Sequence, residues 1–186
     1  MAAAKWVALG AVAVLAACGT YYDPGDDYVR GVRFFDRGNY AVAKQLWEPL
    51  ATRGDCDAEF RLGLLYFLAY GVERDVPRAI SLWTSAANRG QPRAQYAVGD
   101  IEFHSEKDTR LFCRIGCEAV KQDLASAYKW YLLAERHAYY ENDKRYIAEV
   151  LPRIRAKLSP EQKIEGEQAA GGWKPTPAQC KPRELL

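Results

Sequence analysis

The chain has 186 residues, 49% hydrophobic and 12% aromatic, with 26 basic against 24 acidic side chains and a formal net charge of +2. That length suits one domain, and the composition excludes a disordered chain, which lacks the apolar residues to build a core. The near balance of charge also excludes the basic excess that marks a nucleic-acid binder, so nucleic acid is not an expected partner.

Residues 1–17 read MAAAKWVALGAVAVLAA, with Lys5 the only charge and an uninterrupted apolar run over 6–17. A helix needs about 20 apolar residues to span a bilayer, so the run is too short for a span and fits the core of an export signal. Leu15-Ala16-Ala17-Cys18, followed by Gly19, resembles the lipobox of bacterial lipoproteins. The resemblance implies that Cys18 becomes the acylated mature N-terminus. It also implies that Gly19, not being Asp, sends the protein to the outer membrane, anchored by lipid and facing the periplasm. Two or more acyl chains are enough for stable anchoring. Residues 18–27 are expected to be a short tether, because Pro24, Gly25 and the acidic residues discourage regular structure.

From there the chain aligns with itself at a period of 36 residues. Ala43 matches Ala79, Leu46-Trp47 matches Leu82-Trp83, Gly54 matches Gly90 and Ala58 matches Ala94. A third copy is displaced by 48, taking Ala79 to Ala127 and Leu82-Trp83 to Trp130-Tyr131, which places a 12-residue insertion inside it at about 104–119. Periods of 20–50 residues indicate solenoids.

Each unit reads as a helical hairpin. The first, 28–54, carries Gly31, Phe34, Gly38, Tyr40 and Ala43. In the second, Phe60, Leu64 and Phe67 form a helical stripe, while Leu62, Leu65 and Leu68 make other faces apolar, as suits a helix covered on two sides. Gly71 is expected to end this helix in a left-handed conformation, with Asp75 capping the next helix and Pro77 in its first turn. The small residues Gly63, Ala79, Ala86, Ala94 and Gly99 let helices approach closely.

Ala58, Leu62-Gly63, Tyr66, Gly71-Val72, Asp75, Arg78-Ala79, Leu82-Trp83, Ala86-Ala87 and Gly90 together resemble the Sel-one-like repeat family, relatives of the tetratricopeptide repeats. The match is strong over 58–90 and partial over 94–138, where Glu102, Glu135 and Ala138 replace family residues. The expected fold is therefore all-α, an α/α-hairpin solenoid over 28–138 closed by C-terminal capping helices over 139–170 and a tail over 171–186. In the capping region, Ile147, Leu151, Ile154 and Leu158 keep helical spacing, and Pro152 is expected to kink that helix or to mark an irregular turn. Ser159-Pro160-Glu161-Gln162 has the form of a capping box that opens a short final helix to about Ala170, closed by Gly171-Gly172.

No catalytic constellation is read here, and no cofactor is implied. Only His104 and His137 are present, and neither falls in a nucleophile, metalloprotease or phosphate-loop motif. His137, in the last turn of a repeat helix, is expected to be structural, its positive form favoured by the helix dipole.

Cys56, Cys113, Cys117 and Cys180 remain after Cys18, and an exported protein makes disulfides their default state. Helix lengths of roughly 20 Å separate Cys56 from the insertion, which favours Cys113 with Cys117, and Cys56 with Cys180 as the weaker second pair. A zinc site at Cys113, Cys117 and His104 lacks a second ligand pair, so a metal is not expected.

Most repeat aromatics are core by periodicity, whereas Tyr70, Phe112, Tyr139 and Tyr140 fall at turns or in the insertion and are candidates for a binding surface. The resemblance implies an adaptor or assembly factor for an unidentified envelope protein, reached through a solenoid surface involving the first two units and the insertion. It also implies an alternative: some cysteine-rich relatives have been proposed to bind peptidoglycan fragments or to hydrolyse β-lactams.

Overall fold

The computed structural model describes residues 24–104, 121–176 and 180, with side chains from residue 27 onward. Cys18, Phe112, Cys113, Cys117 and all but the first residue of the expected insertion lie outside the described residues. Eight helices follow one another among those described, with no strand. They are α1 (Pro24–Asp36), α2 (Tyr40–Thr52), α3 (Cys56–Leu68), α4 (Val76–Asn88), α5 (Pro92–Phe103), α6 (Leu124–His137), α7 (Glu141–Arg155) and α8 (Pro160–Gly172). Successive helices pack as hairpins, α1 on α2, α3 on α4 and α5 on α6, while α7 and α8 both pack on α6.

The caps carry the period. Asn39, Asp75 and Asp123 accept from the amides of Val42, Arg78 and Ser126 at the starts of α2, α4 and α6. Asp55 and Gln91 do the same for Ala58 and Ala94 at the starts of α3 and α5. Each cap satisfies one of the backbone donors that a helix leaves unpaired at its N-terminus. The glycines that lead into α3 and α5, Gly54 and Gly90, have φ of 85° and 91°, where a side chain would be strained. The pattern fails at α7. Ala138 stands in place of the glycine, and the N-cap Tyr140 makes no side-chain cap bond.

Within each hairpin a glycine on the first helix seats an aromatic from the second. A methyl at Gly31 would overlap the Trp47 indole, and one at Gly63 would overlap that of Trp83. At Gly99 it would lie 2.8 Å from Tyr131 Cδ2. Real side-chain carbons do not come so close, so glycine is required for the helices to meet at this spacing. The seated rings of Trp47, Trp83 and Tyr131 are fully buried. Trp47 and Trp83 donate their indole N–H to the carbonyls of Tyr28 (3.2 Å) and Phe60 (3.0 Å). The core runs along the stack, from Tyr28, Trp47 and Leu65 through Phe67, Trp83 and Ile101 to Phe103, Tyr131 and Ile154.

Four local expectations are corrected. Helix α1 begins at Pro24, inside the stretch 18–27 expected to be a tether, because proline suits a first helical turn and Asp27 favours the positive helix end. Helix α3 ends through Ala69, the left-handed residue at φ 57°, with Gly71 at φ 65° in the turn that follows. Helix α7 stays helical through Pro152 to Arg155, so Pro152 marks no irregular turn there. Helix α8 extends to Gly172, so the glycine pair finishes the helix rather than closing it from outside. Its capping box forms as expected, with Ser159 and Gln162 bonded reciprocally.

The C-terminal segment straps the stack. Helix α8 lies on α6, where a methyl at Gly166 would come within 2.9 Å of the Ala125 carbonyl. Beyond it, Trp173 packs on His137 with ring centres 5.2 Å apart. Thr176 and Cys180 donate backbone N–H to the carbonyls of Asn88 (3.0 Å) and Arg89 (2.8 Å) at the end of α4. Cys180 is bonded to Cys56 at the start of α3, with Cα atoms 5.9 Å apart. Beside this bond Arg89 crosses from α4 to pair with the buried Glu59 of α3 and donates to the Gly54 carbonyl at 2.6 Å.

Candidate functional site: a groove along the first helices

Phe60 and Leu64 on α3, Arg93, Tyr96 and Ala97 on α5, and Asp143 and Tyr146 on α7 line a groove of about 330 Å³. The repeat brings them together. Positions 57 and 93, and positions 60 and 96, are each one period apart, so Asp57 and Arg93, and Phe60 and Tyr96, occupy equivalent places on successive first helices.

Charge in the groove is paired internally. The Arg93 Nε donates to both carboxylate oxygens of Asp143, at 3.1 and 2.9 Å, and the Tyr96 hydroxyl donates to Oδ1 at 3.4 Å. The Arg93 guanidinium also lies 4.9 Å from the centre of the Tyr140 ring. Burial opposes the charge on Arg93, and Asp143 more than offsets it, so the guanidinium is held above its ordinary value. Burial, then Asp143, pushes the Tyr96 hydroxyl up. Burial also raises Asp57, against the Gln91 amide that donates to its Oδ1 at 3.0 Å and the cations Arg93 and Arg61. The groove thus presents neutral hydroxyls, an apolar floor and one closed ion pair.

Behind the groove wall lies a fully buried carboxylate. Tyr146 donates to Asp100 Oδ2 at 2.8 Å, and the Tyr131 hydroxyl donates to Oδ1. Burial pushes Asp100 up to about 6, although both tyrosine donors favour its charged form.

Of the aromatic candidates, Tyr139 and Tyr140 are half-buried at the groove's rim, ring centres 4.4 Å apart. Tyr70 sits elsewhere, on the turn after α3, 36% exposed and stacked on Tyr40 at 4.6 Å. His137 bonds to Gln95 Oε1 at 3.0 Å, and burial followed by Arg136 lowers its pKa. It is therefore a packing residue favoured in its neutral form, not the dipole-stabilised cation expected. His104 ends α5, with Nδ1 2.8 Å from the Asp100 carbonyl.

The lining residues Arg93, Asp143 and Tyr146 escape a reading of the sequence for motifs, because a groove residue on a repeat helix has the same spacing as a core residue. One Ser-x-x-Lys spacing is also easily missed, Ser126 to Lys129 on α6. The Lys129 ammonium lies 3.9 Å from the centre of the Trp130 ring, and burial lowers its pKa against the pull of Glu102.

The Sel1 repeat family matches residues 56–91 and 116–139. The chain thus carries Sel1-like repeats over those residues. Protein SHC1 of Saccharomyces cerevisiae is 31% identical over 80 residues, 43% of this chain and 15% of that protein. Two solved structures share the fold. One is c5321, a protective antigen present in uropathogenic Escherichia coli strains displaying an SLR fold, with TM-score 0.65, 21% identity, and 81% of this chain and 30% of that one covered. The other is a Sel1 repeat protein from Oxalobacter formigenes, with TM-score 0.55, 24% identity, and 80% and 58% covered. At these identities the likeness is one of fold. This Sel1-repeat chain spans less than two thirds of the length of each relative named.

Proposed function

We propose that this Sel1-repeat protein is a lipid-anchored adaptor of the bacterial envelope that holds a segment of another protein in the groove along α3, α5 and α7. The observation that carries the reading is the groove itself: an apolar floor of Phe60, Leu64 and Ala97, walled by tyrosines, with its one ion pair closed by Asp143. Such a surface binds by burial and by hydroxyl hydrogen bonds, the chemistry of aromatic-rich protein interfaces. Sel1 repeats generally mediate protein contacts, and solenoids offer extended surfaces for them.

A photo-crosslinking side chain at Leu64, compared with one at the exposed Ile164 of α8, tests the groove in living cells. One envelope protein joined at Leu64 and not at Ile164 is expected; the same products at both positions would refute it. The anchor is tested separately. Cys18→Ser should abolish palmitate labelling and release the protein from outer-membrane fractions, and a labelled mutant would remove the anchor from the proposal.

A second reading, acyl transfer to Ser126 from a β-lactam or a related cell-wall substrate, rests on its spacing from Lys129 and the lowered pKa of that ammonium. Turnover of nitrocefin that disappears in Ser126→Ala would favour it, and no turnover by the oxidised protein would end it.

A further inference from the structure

A second cavity of about 550 Å³ lies between α2 and α4, two helices that take no part in the groove. It is lined by Lys44 of α2, Tyr66 of α3, Val72, Glu73, Arg74 and Asp75 of the following turn, and Arg78 of α4.

Its two guanidiniums are held ready rather than neutralised. The Arg78 guanidinium lies 4.2 Å from the centre of the Tyr66 ring, and that of Arg74 lies 5.6 Å from the centre of the Phe67 ring. Stacking on an aromatic face fixes a guanidinium plane while leaving its N–H edge free to bind. No carboxylate is within ion-pair distance of either guanidinium among the described residues. The Nε–H of Arg74 is buried and has no acceptor among them. A buried donor without an acceptor is unfavourable, and a native structure leaves few. The other charges are occupied: Lys44 pairs with Glu48 at 2.9 Å, and Asp75 accepts from the Arg78 backbone N–H at 2.9 Å. Glu73 is then the one lining carboxylate without such a role.

We propose that this cavity is a docking site for a carboxylate side chain of an acidic peptide segment, received between the Arg74 and Arg78 guanidiniums with the Arg74 Nε–H among its donors. A carboxylate matches the guanidinium fork and can accept from two donors at once. With Lys44 paired to Glu48, the open cations of the lining are the two guanidiniums, and the carboxylates Glu73 and Asp75 beside them favour a singly charged group over a doubly charged one. A doubly charged phosphate would face more repulsion from Glu73 and Asp75. The cavity is also larger than a lone carboxylate fills, leaving room for the flanking peptide over Val72 and Tyr66.

The Arg74 Nε–H reports directly on the site. Its NMR cross-peak in the oxidised full chain, assigned by its loss in Arg74→Lys, would be followed during titration with N-acetyl-Gly-Glu-Gly-amide and with the Gln counterpart. The Glu peptide is expected to give a saturable shift and the Gln peptide none, and Arg78→Gln to weaken the response by about tenfold, as for loss of a charged donor. Lys44→Gln, at a half-buried lining position already paired with Glu48, serves as the second variant and should weaken it less. Equal responses to both peptides, a response that survives Arg78→Gln, or tighter binding of inorganic phosphate than of the Glu peptide would each overturn the assignment. Crosslinking at Leu64 reads the other face of the stack, so failure here and failure of the groove reading are separate results.

Discussion

The hairpins α3–α4 and α5–α6 solve the same packing problem with different chemistry. In both, a glycine on the first helix, Gly63 or Gly99, admits a ring from the second, Trp83 or Tyr131. Trp83 ends its reach on a backbone carbonyl, that of Phe60 at 3.0 Å. Tyr131 ends on the Asp100 carboxylate, which also takes the hydroxyl of Tyr146 from α7. A carbonyl does not titrate, and a carboxylate does. The seat of Trp83 is therefore indifferent to pH, while the second hairpin has traded a backbone acceptor for a buried acid that ties in a third helix and reaches the groove wall. The first hairpin is also the one held by the disulfide, through Cys56 at the head of α3.

The largest effect is expected from that staple. The bond between Cys56 and Cys180 closes a loop of 124 residues, and constraint on so long a loop contributes roughly 2–5 kcal/mol. Cys180→Ser should lower the urea midpoint accordingly. Hydrogen exchange should quicken first at α3 and α4, where the strap bonds to Asn88 and Arg89; uniform quickening along the stack would show that the strap does not favour the first hairpin.

Next come the glycines. Gly63→Ala drives a methyl into the Trp83 indole and should cost about 3 kcal/mol, against about 1–2 kcal/mol for Gly99→Ala, where the nearest Tyr131 atoms are at 2.8 and 3.0 Å. Chemical denaturation of the two variants measures the difference, and a reversed order would mean that the rings yield differently from their distances.

The acid is tested by pH. Asp100 is raised in the folded chain to about 6 from an ordinary value of 3.8, so its proton is bound more tightly in the folded state than in the unfolded one. Its contribution is fully present below about pH 4 and is lost as pH rises toward 6, on the order of 2–3 kcal/mol for so buried a group. Asp57, Glu59 and Glu102 are raised by burial too and act in the same direction, so the comparison must be with Asp100→Asn. That variant should flatten the pH dependence of stability between pH 4 and 6; an unchanged slope would remove Asp100 as its source.

The smallest effects come from the donors themselves. Trp83→Phe leaves the Phe60 carbonyl without its indole donor and should cost about 1–2 kcal/mol equally at pH 4.5 and 7. Tyr131→Phe removes a donor to the carboxylate, so its cost should be greater at pH 7, where the charged form needs that donor most. Equal costs at both values would mean that the two locks are chemically alike.

Much of this architecture is legible in the residues. The period of 36, the cap at Asp75, and the small residues Gly63 and Gly99 where helices meet closely follow from local rules: side chains three residues apart on a first turn, and apolar residues at helical spacing. The Ser159 capping box belongs to the same class. What resists such reading is whatever depends on two distant segments meeting. Arg93 and Asp143 are 50 residues apart, and nothing local marks either as half of a pair. Tyr139 and Tyr140 stand out as aromatics at a turn, but their place beside Arg93 depends on where α7 folds back onto α5. Tyr70, equally conspicuous in sequence, lands at a different edge.

The sequence by itself thus determined the helices and the repeat that stacks them, because turns and periodicity act over a few residues and recur in each unit, while several helix ends moved by a few residues. The tertiary structure alone decided which face becomes a groove and which charges close on each other. It also decided that a carboxylate aligned with Leu64 in the preceding unit, Asp100, would be buried under two tyrosines, and that two guanidiniums would be left open between α2 and α4. Those outcomes depend on distances between helices, which only the packing of the whole stack sets.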